Sequence, residues 1–455
     1  MNIRNKATAI HLTDFRSAPM RAFHMTWLAF FLCFFGWFGL APLMPVIRQE
    51  LHLTKEQIGN SIIASVAITV VARLLIGWLC DRVGPRRTYS WLLVVGSLPV
   101  IGVGLAHDYT TFLLFRLAIG AIGASFVITQ YHTSVMFAPN IIGTANATAA
   151  GWGNLGGGVT QMVMPLLFTA FLSLGVGAWW GWRLAMMVPG IALLFAGVAY
   201  YFLTKDTADG DFHELRGQGR MAGRSAAAGA FWEACRDPRV WALFVLYAAC
   251  FGMELTVDNI AALYFVDYFK LTLKAAGVAA STFGMMNLFA RALGGMVSDR
   301  CYARWGLRGR TLLLGSTIGL EGLGFACFSQ ARWLPLAILC MLITGLFIKM
   351  SNGVTYSIVP FVNKRALGAV SGIVGAGGNV GAVLAGFLFK TKSLTWPQAL
   401  LILGGLVFAS ASLALLVRFA EGDEMAPRVA VGDRQSAVGS LAGLSPASCV
   451  LKADR

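Results

Sequence analysis

Charge is scarce in this 455-residue chain. Asp, Glu, Lys and Arg make up 13% of it, about half the ~25% of a soluble domain. With 57% hydrophobic residues, it lacks the polar surface needed to stay dispersed in water, which excludes a soluble enzyme. The same apolar content excludes a disordered chain. The eight cysteines are scattered and form no C-x-x-C. Zinc, iron–sulfur and redox-pair frameworks are excluded with them, and neither a metal nor a cofactor is expected. Acidic residues are outnumbered, 21 against 36 basic, for a net charge of +15. In a soluble protein that excess would suggest nucleic acid. In a membrane protein it collects in the loops of one face, so no nucleic-acid partner is expected.

Long apolar runs are abundant. A spanning helix needs ~20 mostly apolar residues. Twelve segments qualify, at roughly 25–47, 58–80, 88–107, 110–136, 143–171, 180–203, 239–264, 275–298, 311–330, 333–360, 367–390 and 396–419. None alternates as barrel strands would, so the predicted fold class is an all-α membrane protein with twelve transmembrane helices. The first run, near Met25, is only the first of many and reads as a retained span, not a cleaved signal. With the N-terminus inside, inner loops carry 24 of the 36 Lys and Arg and outer segments eight. That bias predicts a cytoplasmic (inner) membrane protein with both termini in the cytoplasm. The predicted organisation is an N-terminal segment 1–24, a six-helix bundle 25–203, a polar cytoplasmic linker 204–238, a second six-helix bundle 239–420 and a tail 421–455.

The chain also repeats itself. Arg73-x3-Gly77-x3-Asp81-Arg82 returns as Arg291-x3-Gly295-x3-Asp299-Arg300, and Gly153-Asn154-x-Gly156 as Gly378-Asn379-x-Gly381. Parallel six-helix repeats joined by a linker are the signature of a transporter whose two halves rock about a central site.

The four cationic side chains left inside spans are Arg73, Arg116, Arg291 and Lys349. Arg73 lies eight residues before Asp81, about 12 Å deeper along a helix and so near the middle of a ~30 Å hydrocarbon layer. Arg291 has the same depth. A cation there costs several kcal/mol, and two symmetry-related ones repel. A bound anion relieves both penalties, and the guanidinium fork matches a planar oxyanion. The alternative is pairing with a carboxylate of the same half, from the few buried acids Glu254, Asp258 and Glu321. Arg116 reads as structural or proton-related, and His132 as a hydrogen-bonded group or a proton carrier. Asn154 and Asn379 need partners in apolar helices, with interhelical hydrogen bonding one option.

Gly77-x3-Asp81-Arg82-x-Gly84-x-Arg86-Arg87 resembles the loop motif of the major facilitator superfamily. The run from Ala150 to Gln161 and its partner from Gly372 to Gly381 resemble the two glycine-rich signatures of the nitrate/nitrite porter family. Gln130-Tyr131, Gly143 and the segment Glu254 to Asn259 are similar to the high-affinity nitrate uptake branch. The resemblance covers all twelve spans. It implies the major facilitator fold, with two pseudo-symmetric bundles and no enzymatic activity. It implies transport of nitrate and nitrite by alternating access, as in nitrate assimilation, by a monomer. Arg73, Arg291, Asn154, Asn379, Tyr247, Phe251, Phe126, Gly153 and Gly378 are the expected substrate-binding residues. Gly77, Asp81, Arg82, Gly295, Asp299 and Arg300 are the expected gating residues. Bringing an anion into an inside-negative cell costs ~2.3 kcal/mol per 100 mV. Proton symport is therefore expected, with Glu254, Asp258 and Lys349 as coupling candidates. The alternatives are electroneutral nitrate/nitrite exchange and carriage of another small anion such as a carboxylate.

Overall fold

The computed structural model describes residues 3–220, 226–363, 366–391 and 393–419; the predicted tail 421–455 lies outside them. Eleven helices in the described residues are long and apolar enough to cross a membrane. One of them, Ala275–Gln330, has 56 residues, about 84 Å of helix and far more than one crossing needs. It breaks at Gly306, whose φ of 62° and ψ of −154° only glycine adopts readily. Counted as two crossings, it brings the total to twelve.

The spanning helices are α1 (Ala18–Phe38), α2 (Lys55–Val83), α3 (Pro85–Gly102), α4 (Tyr109–Met136), α5 (Ile142–Ser173), α6 (Ala178–Leu203), α7 (Pro238–Phe269), α8 (275–305), α9 (307–330), α10 (Leu334–Val362), α11 (Leu367–Lys390) and α12 (Trp396–Leu416). Local sequence sets their ends. Thr54 with Gln57 and Asp108 with Thr111 form capping boxes before α2 and α4. Gly84, at φ 99°, ends α2 and turns directly into Pro85, the first residue of α3.

Two boundaries differ from the hydropathy reading. The first helix begins at Ala18, seven residues before Met25, because Pro19 starts a helix well and Pro19, Met20, Ala22 and Phe23 are buried against protein while Arg21 stays exposed. It also ends at Phe38, and a separate short helix follows at Met44–Glu50. Pro42 and Pro45 break the continuity that average hydropathy hides. The linker is not wholly irregular, since it contains short helices at Phe212–Gly217 and Ala226–Arg236.

The two bundles meet along α2 against α11, and along α5 against α8 and α10. The N-terminal segment docks on the membrane face that carries the linker. Ala7 exchanges backbone hydrogen bonds with Met136 and Ala138 at 3.0 and 2.9 Å, and Asp209 accepts from the Arg4 and Asn5 amides at 2.9 Å.

Candidate functional site

The sequence repeat folds into two matching latches on the linker face. Asp81, at the end of α2, accepts from the Gly368 and Ala369 amides at 3.3 and 3.2 Å, in the first turn of α11. Asp299, at the end of α8, accepts from the Thr144 amide and hydroxyl at 2.8 and 2.7 Å, in the first turn of α5. Each carboxylate thus sits at the positive end of a helix in the other bundle. Gly77 and Gly295 permit that approach. A Cβ on Gly77 would lie 2.5 Å from the Gly368 carbonyl oxygen, and one on Gly295 2.6 Å from that of Gly143. Arg310 adds an ion pair to Asp299 at 2.7 Å. Arg82 and Arg300 stay exposed on this face and take no part in the latches.

Deeper between the bundles lies an aromatic stack. Phe126 of α4 stacks on Phe251 of α7 with centroids 5.5 Å apart, and Phe251 on Tyr247 at 5.1 Å. Tyr356 of α10 meets Phe126 and Tyr247 edge-on at 4.7 and 5.0 Å. Two of the glycines expected to touch substrate instead seat these rings. A Cβ on Gly378 would lie 2.5 Å from Phe251, and one on Gly153 2.0 Å from Phe30, which leans on Phe126.

Arg73 and Arg291 approach the stack from opposite bundles, with 0% and 1% of their surface exposed. Their guanidinium carbons lie 4.9 and 5.6 Å from the Phe251 centroid, and 5.2 and 5.8 Å from that of Phe126. Arg73 meets no carboxylate. It donates to the Gly375 carbonyl of α11, and through Nε and Nη2 to that of Gly123 at 3.4 and 3.3 Å. Gly123 belongs to a 3-10 turn, Ala121–Ala124, that interrupts α4 beside the arginine.

Arg291 differs from the expectation of a cation awaiting an external anion alone. Glu254, from its own bundle, accepts from its Nη2 at 2.6 Å. The same carboxylate accepts from Lys349 at 2.9 Å, from Asn287 at 2.9 Å, from Asn352 at 2.6 Å and, across the bundle interface, from Asn154 at 3.3 Å. Glu254 is therefore a counter-ion fixed by two cations and three amides. Even so, Arg291 Nε and Nη1 and the Tyr247 hydroxyl are buried without a hydrogen-bond partner. These unspent donors converge on the aromatic stack, and three buried cations outnumber the one fixed carboxylate. An arrangement of this kind favours a small, flat anion.

The remaining expected residues separate. Asn379 donates to the Val66 carbonyl at 3.1 Å and so joins α11 to α2. Asp258, one turn beyond Glu254, is half-buried and makes no hydrogen bond or ion pair among the described residues. Arg116 donates to the Trp37 carbonyl and the Ser65 hydroxyl, both at 3.3 Å. His132 bonds to the Tyr200 hydroxyl at 2.5 Å and to the Lys205 carbonyl at 2.7 Å. The carbonyl fixes the proton on Nε2, which leaves Nδ1 to accept from Tyr200.

Asn287, Asn352 and Tyr356 escaped the sequence reading. A signal existed for two of them. Lys349, Asn352 and Tyr356 fall at i, i+3 and i+7, one face of α10.

Three comparisons place this architecture among known proteins. The family model described as Major Facilitator Superfamily matches residues 26–362. The high affinity nitrate transporter 2.5 of Arabidopsis thaliana is 38% identical over 92% of this chain and 84% of its own length. The nitrate/nitrite transporter NrtP of Nostoc punctiforme is 32% identical over 80% of this chain and 85% of its own. Among solved structures, the proton:xylose symporter XylE shares the fold with a TM-score of 0.67 at 14% identity, covering 90% of this chain and 98% of its own. The human organic anion transporter MFSD10 does so at 0.64 and 12%, covering 88% and 100%. The chain belongs to the major facilitator superfamily, in the same family as these nitrate and nitrate/nitrite transporters.

Proposed function

We propose that the protein is a secondary active transporter that carries nitrate and nitrite across the cytoplasmic membrane. The observation that carries this reading is the pair of buried guanidinium groups flanking one aromatic stack, with the Nε and Nη1 of Arg291 and the hydroxyl of Tyr247 unspent. A planar oxyanion slides between the rings, accepts from these donors and offsets the positive excess. The relatives, a high affinity nitrate transporter and a nitrate/nitrite transporter, support the choice of nitrate. The concentration of Lys and Arg on one face supports an orientation with the N-terminus, linker and tail in the cytoplasm. The unit of transport is a monomer whose bundles, 25–203 and 239–420, rock about the bound anion.

Closure and opening follow from charge. Without an anion, Arg73 and Arg291 repel as the bundles close; with one bound, the closed state is favoured and the switch proceeds. On the linker face the Asp81 and Asp299 latches must release before the anion can leave. Uptake against an inside-negative potential needs a partner charge. Protons supply it, and Asp258 is the carrier, because Glu254 is committed to Arg291 and Lys349 while Asp258 makes no hydrogen bond or ion pair among the described residues. Lys349 holds Glu254 in place and carries no proton.

Nitrate currents in proteoliposomes, recorded at varied external pH and with or without internal nitrite, test this. Inward positive current that grows on acidification supports symport. Electroneutral uptake that requires internal nitrite would replace it with exchange. Flux of formate or oxalate that nitrate does not inhibit would move the substrate to carboxylates.

A further inference from the structure

A cavity of about 270 Å³ lies away from the anion pathway. It opens on the linker face, between the start of α3 and the short helix Phe212–Gly217. Arg86, Arg87, His213 and Arg216 line it, together with Asp206 and Asp211.

The two acids are spent on the frame. Asp206 accepts from the Arg86 and Phe212 amides, both at 3.0 Å. Asp211 accepts from the Asp206 amide at 3.0 Å, from Arg86 Nη1 at 2.6 Å and from Lys205 at 3.5 Å. Arg87 and His213 are exposed and make no hydrogen bond or ion pair among the described residues. Arg216 reaches the other way, donating to the Asp81 and Arg82 carbonyls at 3.4 and 3.0 Å. The cavity therefore has a rigid acidic frame, with Arg87 and His213 as exposed basic groups in its walls.

We infer that this cavity is a second anion site, distinct from the transport pathway, that takes a phosphate group. A guanidinium fork matches phosphate oxygens in pairs, and the volume, below that of a drug-sized pocket, suits a phosphomonoester or the phosphate of a lipid headgroup. Occupancy has a mechanical consequence. An anion shared by Arg87 and His213 ties the linker helix to the start of α3, and Arg216 of the same helix already donates to carbonyls in the last turn of α2. That turn carries Asp81, whose carboxylate latches α11. The bound phosphate thus holds the linker face shut and slows transport.

The test uses the purified full-length protein in phosphatidylcholine nanodiscs, titrated with inorganic phosphate, beside the Arg87→Gln/His213→Gln double variant. Saturable binding that weakens at least tenfold in the double variant, with unchanged thermal unfolding, is expected. Repeating the titration in phosphatidylglycerol nanodiscs separates the sources. Phosphate binding lost there assigns the site to a lipid headgroup, and binding retained assigns it to a soluble phosphate. Phosphate that binds wild type and double variant equally, or that nitrate displaces from both, belongs elsewhere and overturns the inference. So does the absence of saturable phosphate binding in phosphatidylcholine combined with equal retention of phosphatidylglycerol by the two proteins in native mass spectrometry.

Discussion

Replacing Glu254 by Gln separates a fixed counter-ion from a proton carrier. The carboxylate serves Arg291 at 2.6 Å and Lys349 at 2.9 Å, with all three side chains at most 1% exposed. Removing one member of a buried ion pair costs about 3–5 kcal/mol, because the remaining charge stays desolvated. Here two cations lose their only carboxylate, so Glu254→Gln belongs at the upper end, about 4–5 kcal/mol. Gln keeps one acceptor oxygen, which can serve either Asn154 and Asn287 or Asn352 but not all three, so at least one asparagine amide loses its acceptor as well. Adding Lys349→Met removes one stranded cation and should recover about 2 kcal/mol. Chemical unfolding in detergent measures both values, and labelled-nitrate counterflow measures the transport that survives. A proton carrier behaves otherwise: its Gln variant stays stable and keeps counterflow, yet loses acid-stimulated uptake. That result, or wild-type stability in Glu254→Gln, would refute the counter-ion reasoning.

Three other outcomes follow from the geometry. Tyr247→Phe removes a buried hydroxyl that bonds to nothing in the protein; stability should hold while nitrate affinity falls about tenfold to a hundredfold, the worth of a hydrogen bond to a charged group. A titration showing equal affinity would exclude that hydroxyl from the site. Gly77→Ala drives a Cβ to 2.5 Å from the Gly368 carbonyl oxygen, and backbone cannot yield cheaply. Thermal unfolding should show about 1–3 kcal/mol of destabilisation and nitrate flux should fall. On the linker, burial pushes the Asp206 carboxyl up from 3.8 to about 6, against the opposing pull of the Phe212 and Arg86 amides. A raised acid pKa means the folded state binds the proton more tightly. Its contribution, of order 2–3 kcal/mol, is full below the ordinary value and is lost as pH rises through about 6. Asp206→Asn should flatten the pH dependence of unfolding in that window.

Much of the fold was legible because bilayer thickness imposes one length on every crossing. The twelve runs, the linker and the paired motifs could be read without coordinates, since hydropathy averages over whole helices. What averaging hides is local: the helix end at Phe38 and the 3-10 turn beside Arg73 each depend on a few residues. The site divided along the same line. Depth arithmetic places Arg73 and Arg291 at the membrane centre, but which carboxylate reaches them is a question of helix rotation and of contacts between residues distant in sequence. Glu254 and Lys349 are 95 residues apart, and no spacing rule connects them. The glycines expected to touch substrate illustrate a second limit, since a residue without a side chain serves an approaching ring as well as a ligand.

Labelled-nitrate counterflow in proteoliposomes of wild type, Arg73→Gln and Arg291→Gln probes the guanidinium pair itself, because it needs no proton gradient and no potential. Each single variant should lose counterflow while still unfolding as one folded protein. Exchange of nitrate at the wild-type rate by either variant would contradict a site built on two buried arginines.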